Sequence, residues 1–100
     1  MSDSPAMQQY QRIKEKYKEA ILFFRMGDFY EMFYDDAHIA SEVLGIVLTS
    51  RNKGSNPVPM AGIPAKAIDT YLPKMLEKEY KVAICEQIQD ASEAQGIVDR

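Results

Sequence analysis

Phe29 and Glu31 carry the most distinctive chemistry of this chain. They stand in Arg25-Met-Gly-Asp-Phe-Tyr-Glu-Met-Phe-Tyr-Asp-Asp36, whose alternation places both on one face of an extended strand. An aromatic ring there can wedge against flat aromatic bases, and a carboxyl two residues on can probe a hydrogen-bonding edge of the base that the ring displaces. The pair points to inspection of DNA. Tyr30, Met32 and Tyr34 fall on the opposite face and are expected in the core. The bland reading makes Phe29 a core residue as well, but a buried unpaired carboxylate beside it is costly. Either Glu31 has a cationic partner such as Arg25, or the shared face is partly open.

Other residues offer contacts or rival chemistry. Arg51 and Lys53, on the Gly-containing loop Arg51-Asn-Lys-Gly-Ser-Asn56, suit phosphate contact, although such a loop also serves as a plain solvated tip. Met26 and Met60 either pad a minor groove beside Phe29 or simply fill the core. A metal-dependent nuclease is the strongest rival: Asp28, Glu31, Asp35 and Asp36 are clustered, and Glu79-Tyr-Lys81 has the Glu-x-Lys form that holds Mg²⁺ in such enzymes. Against it, Asp35-Asp36 are explained as helix caps, Glu79 precedes the apolar strand, and His38 has no second His or Cys nearby. No metal site is assigned. With no Ser-His-Asp set, Cys–His pair or phosphate-binding Gly loop, the chain offers no catalytic residues and is not expected to be an enzyme.

The elements that position these residues follow from spacing. Ser4-Pro5 suits an N-cap and first helical residue, and Met7, Tyr10, Ile13 and Tyr17 recur at helical spacing among charged residues. Ala20-Ile-Leu-Phe-Phe24 fits a buried strand, Gly27-Asp28 a turn, and Phe29 to Tyr34 a second strand, so the two form a hairpin. Asp35-Asp36 mark a helix start, where carboxylates accept unbonded N–H groups, and Ala37, Ala40, Val43 and Leu44 line a short helix stopped by Gly45. Ile46-Val-Leu-Thr49 reads as a third strand and Val58 to Ala61 as a fourth. Gly62-Ile-Pro64 turns into a helix bearing Ile68, Tyr71, Leu72, Met75 and Leu76. Pro73 conflicts with a start at Ala65, since an interior proline costs about 3 kcal/mol, so either Thr70 caps a later helix or the helix kinks. Lys81 to Cys85 is a central strand, Asp90 to Gln95 a final short helix, and Gly96 to Arg100 a strand beginning. The sum is an α/β fold of the α+β type, a mixed sheet of about five or six strands flanked by helices.

Bulk properties bound the function. One hundred residues, 46% of them hydrophobic, suit one domain with a modest core spanning residues 1–100. The apolar runs are far below the roughly 18 to 20 residues that cross a bilayer, and the start is unlike a signal sequence, so a cytoplasmic protein without membrane contact is expected. The lone Cys85 lies in an apolar run and reads as a buried, inert thiol. With 12 Lys plus Arg against 15 Asp plus Glu the net charge is −3, whereas a self-sufficient DNA-binding domain is usually basic. That balance favours a third reading, a structural or interaction domain without DNA contact. If the chain touches DNA, most of the affinity must come from a longer protein from which it is cut.

The wording of the chain resolves the choice by resemblance. Gly27-Asp-Phe-Tyr-Glu-Met-Phe-Tyr-Asp-Asp-Ala37 resembles the start of the mismatch-recognition domain of the MutS family. The likeness continues through Met7-Gln-Gln-Tyr10, Pro57-Val-Pro-Met-Ala-Gly-Ile-Pro64 and Val82-Ala-Ile-Cys-Glu-Gln-Ile88, in the family's order and over nearly the whole chain. The resemblance implies a MutS N-terminal domain-like fold and a noncatalytic domain that binds double-stranded DNA with mismatches or small insertion/deletion loops. It assigns to Phe29 the stacking on a mispaired or unpaired base in kinked DNA, to Glu31 the hydrogen bond to that base, and to Arg51 a backbone contact. Many relatives carry an aromatic residue and a His where this chain has Ala65-Lys66, which leaves only a basic contact from Lys66. For the parent protein it implies a homodimer, a MutL-type repair partner, and an ATPase domain outside these residues that uses ATP and Mg²⁺.

Overall fold

The computed structural model describes residues 4–51, 56–87 and 97–99. Helix α1 (Pro5–Lys16) begins as the sequence predicts: the Met7 N–H donates to the Ser4 side chain at 3.3 Å and Pro5 fills the first turn, where its missing N–H costs nothing. Strands β1 (Ala20–Met26) and β2 (Phe29–Phe33) form an antiparallel hairpin whose register, Met26 opposite Phe29, leaves Gly27 and Asp28 as the turn. Gly27 has φ of 62°, a conformation that glycine adopts without a steric penalty. Helix α2 (Asp35–Leu44) ends in a left-handed Gly45, also as expected. Strands β3 (Thr49–Ser50) and β4 (Pro59–Pro64), helix α3 (Ile68–Glu77), strand β5 (Lys81–Gln87) and strand β6 (Ile97–Asp99) complete the chain, and the predicted helix from Asp90 to Gln95 lies outside the described residues.

The sheet is six-stranded in the order β3-β4-β2-β1-β5-β6, with β1 and β5 parallel and the other pairs antiparallel, the mixed sheet of the expected α+β class. Its two faces are covered unequally. One face carries Ile21, Phe23, Tyr30, Met32, Ala61 and Ile63 against Ala37, Ala40 and Leu44 of α2 and Met75 of α3. The other carries Leu22, Phe24, Phe33 and Cys85 against Met7 and Tyr10 of α1. Tyr10 packs edge-on to Phe33 and Phe24, with ring centroids 4.9 and 5.6 Å away, and its hydroxyl donates to the Phe33 carbonyl at 3.3 Å. Among the described residues α1 covers that face over Phe33, which is fully buried, while Phe29 at the other end of β2 is exposed.

Several expectations are corrected. Ile46, Val47 and Leu48 are not in a strand: Ser41 accepts the Ile46 N–H at 3.2 Å and its hydroxyl donates back to the Ile46 carbonyl at 2.7 Å, which ties Ile46 to the end of α2. β4 runs on through Gly62-Ile63-Pro64, read above as a turn, because Ile63 has a place in the core and Pro64 sits beyond the reach of β3, where its missing donor is harmless. α3 starts neither at Ala65 nor at Thr70 but at Ile68, after a 3-10 turn at Ala65–Ala67, and Pro73 lies inside it. Pro73 and Asp69, whose carbonyl loses its helical partner, are both exposed, so the lost bond falls on the solvent side of the helix. Tyr34 is not a core residue; it is 37% exposed because φ of 58° turns the chain out of β2 there. Tyr17 likewise falls beyond α1 and is exposed.

Candidate nucleic-acid interface

The open half of the sheet face lies where Phe29 and Glu31 stand. Along β2 the side chains on that face pass from exposed Phe29 (43%) through half-buried Glu31 to fully buried Phe33. Alternation thus delivers a graded row: Phe33 sits under Tyr10, Glu31 at the margin, and Phe29 in the open. Met26 is opposite Phe29 in the hairpin and Met60 opposite Phe33 in β4, so both methionines share this face and pack against the α1 side of the core. A shallow groove of about 420 Å³ is lined by Phe29, Glu31, Met60, Gly62, Thr49 and the Gly45–Val47 turn.

The hairpin that presents Phe29 is held on both sides. The Arg25 guanidinium donates to the Gly27 carbonyl at 2.6 Å and to Glu86 of β5 at 3.0 Å, and it lies 5.5 Å from the Tyr30 ring centre. The Tyr30 hydroxyl donates to the other Glu86 oxygen. From the far side the Ala65 N–H donates to the Asp28 carbonyl at 2.7 Å. A side chain on a turn fastened in this way resists deflection.

Arg25 is therefore occupied on the other face and is not the partner of Glu31. The cation that acts on Glu31 is Arg51, just beyond β3, which also donates from its backbone to Val58 at 2.9 Å and from its side chain to Ser4 at 3.4 Å. Burial raises the Glu31 carboxyl above its ordinary pKa, and the charge of Arg51 works against that rise. Lys66 is exposed in the 3-10 turn two residues after Pro64, which pairs with Phe29, so it lies at the same end of the sheet. Lys53 lies outside the described residues. Phe29, Glu31 and Met60 are brought together in the groove, Met26 lies opposite Phe29 across the hairpin, and Arg51 and Lys66 stand at the margins.

The residues of the nuclease reading do not converge. Asp36 is spent on structure: the residue is 4% exposed, and its carboxylate pairs with Lys14 at 2.9 Å and accepts the Leu22 N–H at 3.0 Å. Asp35 and Asp36 both stand in the first turn of α2, as the sequence predicts, although the N-cap residue itself is Tyr34. Glu79 is exposed in a turn with φ of 67°, and among the described residues no three His, Cys, Asp or Glu side chains are placed to hold a metal ion. Gly45, Ile46, Val47, Thr49 and Gly62 line the groove and escaped sequence reasoning. Val47, 79% exposed, reads as a strand residue in the sequence, and Gly62 as a turn, although a glycine inside an apolar strand is itself a signal of close approach.

Comparison with known proteins places this geometry. The DNA mismatch repair protein MutS of Halothermothrix orenii is 63% identical over 98 residues, covering 97% of this chain. Those of Caldanaerobacter subterraneus subsp. tengcongensis and Thermosipho melanesiensis are 59% and 62% identical, covering 100% and 97% of it. The chain spans 11–12% of the length of these relatives. A family model described as MutS domain I matches residues 4–100, which takes in the hairpin, the groove and every strand of the sheet, and the chain belongs to that family.

Proposed function

We propose that this chain is the mismatched-DNA binding domain of a DNA mismatch repair protein, and that it finds defects by deformability rather than by base sequence. The observation that carries the reading is an exposed Phe29 on a braced hairpin beside a half-buried Glu31. Wedging a ring into a base step costs a few kcal/mol in sound duplex and less at a mispaired or unpaired base, so insertion of Phe29 favours the defect. Glu31, already raised by burial, rises further in the negative field of the phosphates, and its protonated carboxyl donates to a ring nitrogen or carbonyl of the stacked base. Met26 and Met60 pad the minor groove, while Arg51, Lys53 and Lys66 contact the backbone.

The domain itself is noncatalytic in this reading. The parent protein supplies the ATPase, with its ATP and Mg²⁺, in another part of the chain, and acts in the cytoplasm as a homodimer with a MutL-type partner. Affinity must come largely from that parent, because a net charge of −3 leaves few cations for phosphates. The test compares the 100-residue chain with the full-length protein on mismatched and perfect duplex at physiological salt. The full-length protein is expected to prefer the mismatch, and the isolated chain to bind it weakly without ATP hydrolysis or Mg²⁺-dependent cleavage. Cleavage that disappears in chelator and with Glu79→Ala would make the chain a nuclease instead.

A further inference from the structure

The geometry points to Gly62 as the positioning residue for Glu31: its bare Cα is the seat on which the carboxylate rests at the floor of the groove. Gly62 lies directly opposite Glu31 in the β2–β4 pairing, on the same face of the sheet. A Cβ built on Gly62 would stand 2.5 Å from one Glu31 carboxylate oxygen, 3.2 Å from the other and 3.0 Å from the carboxyl carbon. Real Cβ atoms do not approach oxygen so closely, so a side chain at position 62 and the present place of the Glu31 carboxylate exclude each other.

Glycine inside a strand is otherwise a poor choice, since it packs nothing and orders at a greater entropic cost. Its backbone is not in the left-handed region, which at Gly27 and Gly45 accounts for the glycine. What remains at position 62 is space, and the three nearest atoms that a Cβ would meet all belong to the Glu31 carboxyl group. That group ends a flexible side chain, so Gly62→Ala relocates it rather than breaking the sheet. The charged group that faces it is Arg51, which a displaced carboxylate would meet differently.

The inference rests on the proposed role of Glu31, and its experiment separates the two. In this chain, the Glu31 carboxyl is titrated by carbon NMR in wild type and Gly62→Ala, with folding checked by amide spectra. In the full-length protein, the ratio of mismatch to perfect-duplex affinity is measured for Gly62→Ala, Glu31→Ala, the double variant, and Gly62→Ala with Glu31→Asp. The seat predicts that Gly62→Ala stays folded and moves the Glu31 titration toward the ordinary carboxylate value. It also predicts an about tenfold loss of mismatch preference, no further loss in the double variant, and partial recovery with the shorter Asp. An unchanged Glu31 titration in folded Gly62→Ala, or losses from the two single variants that add, would overturn it. If the titration moves while Glu31→Ala leaves the preference intact, the seat stands and the reading of Glu31 as a base contact fails.

Discussion

The backbone N–H of Leu22 donates to the carboxylate of Asp36 at 3.0 Å, although the two residues belong to a strand and to the helix after the next strand. The β1–β2 pairing reaches only to Phe24 and Glu31, so Leu22 has no partner from β2 and the Asp36 oxygen takes its place. The same carboxylate pairs with Lys14 and thereby fastens α1, β1 and α2 together. Asp36→Ala should lose about 2–4 kcal/mol in urea unfolding, since it strands a buried donor and a partly buried cation, and Asp36→Asn, which keeps an acceptor, should lose less. A loss below about 0.5 kcal/mol in the alanine variant would show that water replaces the carboxylate at little cost.

Asp36 also marks the limit of what a linear reading can supply. Paired acids before an amphipathic run predict the helix start at Asp35, because that is a local relationship, but the partner of Asp36 is 14 residues back in a strand. The hairpin, the α1 cap and the shared face of Phe29 and Glu31 were legible for the same local reason. Ile46 to Leu48 were misread because their apolar composition fits a strand, whereas the Ser41 bonds that hold Ile46 depend on where α2 ends. Local sequence leaves the start of α3 open around Pro73, because an interior proline is costed as if the helix were dry, whereas Pro73 and Asp69 are exposed here. In the candidate site, alternation groups Phe29 with Glu31, but Met60, Gly62 and Val47 come from other segments and join the groove only through the sheet register and the turn after α2.

Glu31 carries a pH signature in stability as well as in binding. Its folded pKa is raised by burial, so its relative stabilising contribution is full at pH below the unfolded value and is lost as pH rises through the folded one. Glu31→Gln, which cannot ionise, should therefore melt higher than wild type at pH 7, and the difference should shrink on acidification below the ordinary carboxylate range. In mismatch binding by the full-length protein, Gln should outperform Ala, with wild-type affinity weakening as pH rises and the Gln form staying flat. Equal loss in both variants, with no difference in pH response, would rule out a donating carboxyl.

Arg51→Ala should weaken binding to perfect and mismatched duplex by a similar factor and reduce the salt slope by about one unit, as loss of a phosphate contact requires. Because Arg51 opposes the burial effect on Glu31, its removal should also raise the Glu31 pKa further, which carboxyl NMR of this chain would detect. Loss of mismatch binding alone, with perfect-duplex affinity and salt slope unchanged, would show that Arg51 serves Glu31 and not the backbone.

Phe29 tests the central claim most directly. Phe29→Ala in the full-length protein should abolish the preference for mismatched over perfect duplex, measured as the ratio of the two Kd values in one buffer. The same substitution in this chain should cost about 1 kcal/mol or less in urea unfolding, since the residue is 43% exposed and little packing is lost. A variant that keeps the wild-type preference, or one that loses stability on the scale of a buried aromatic, about 3–5 kcal/mol, would contradict the account of Phe29 as an exposed wedge.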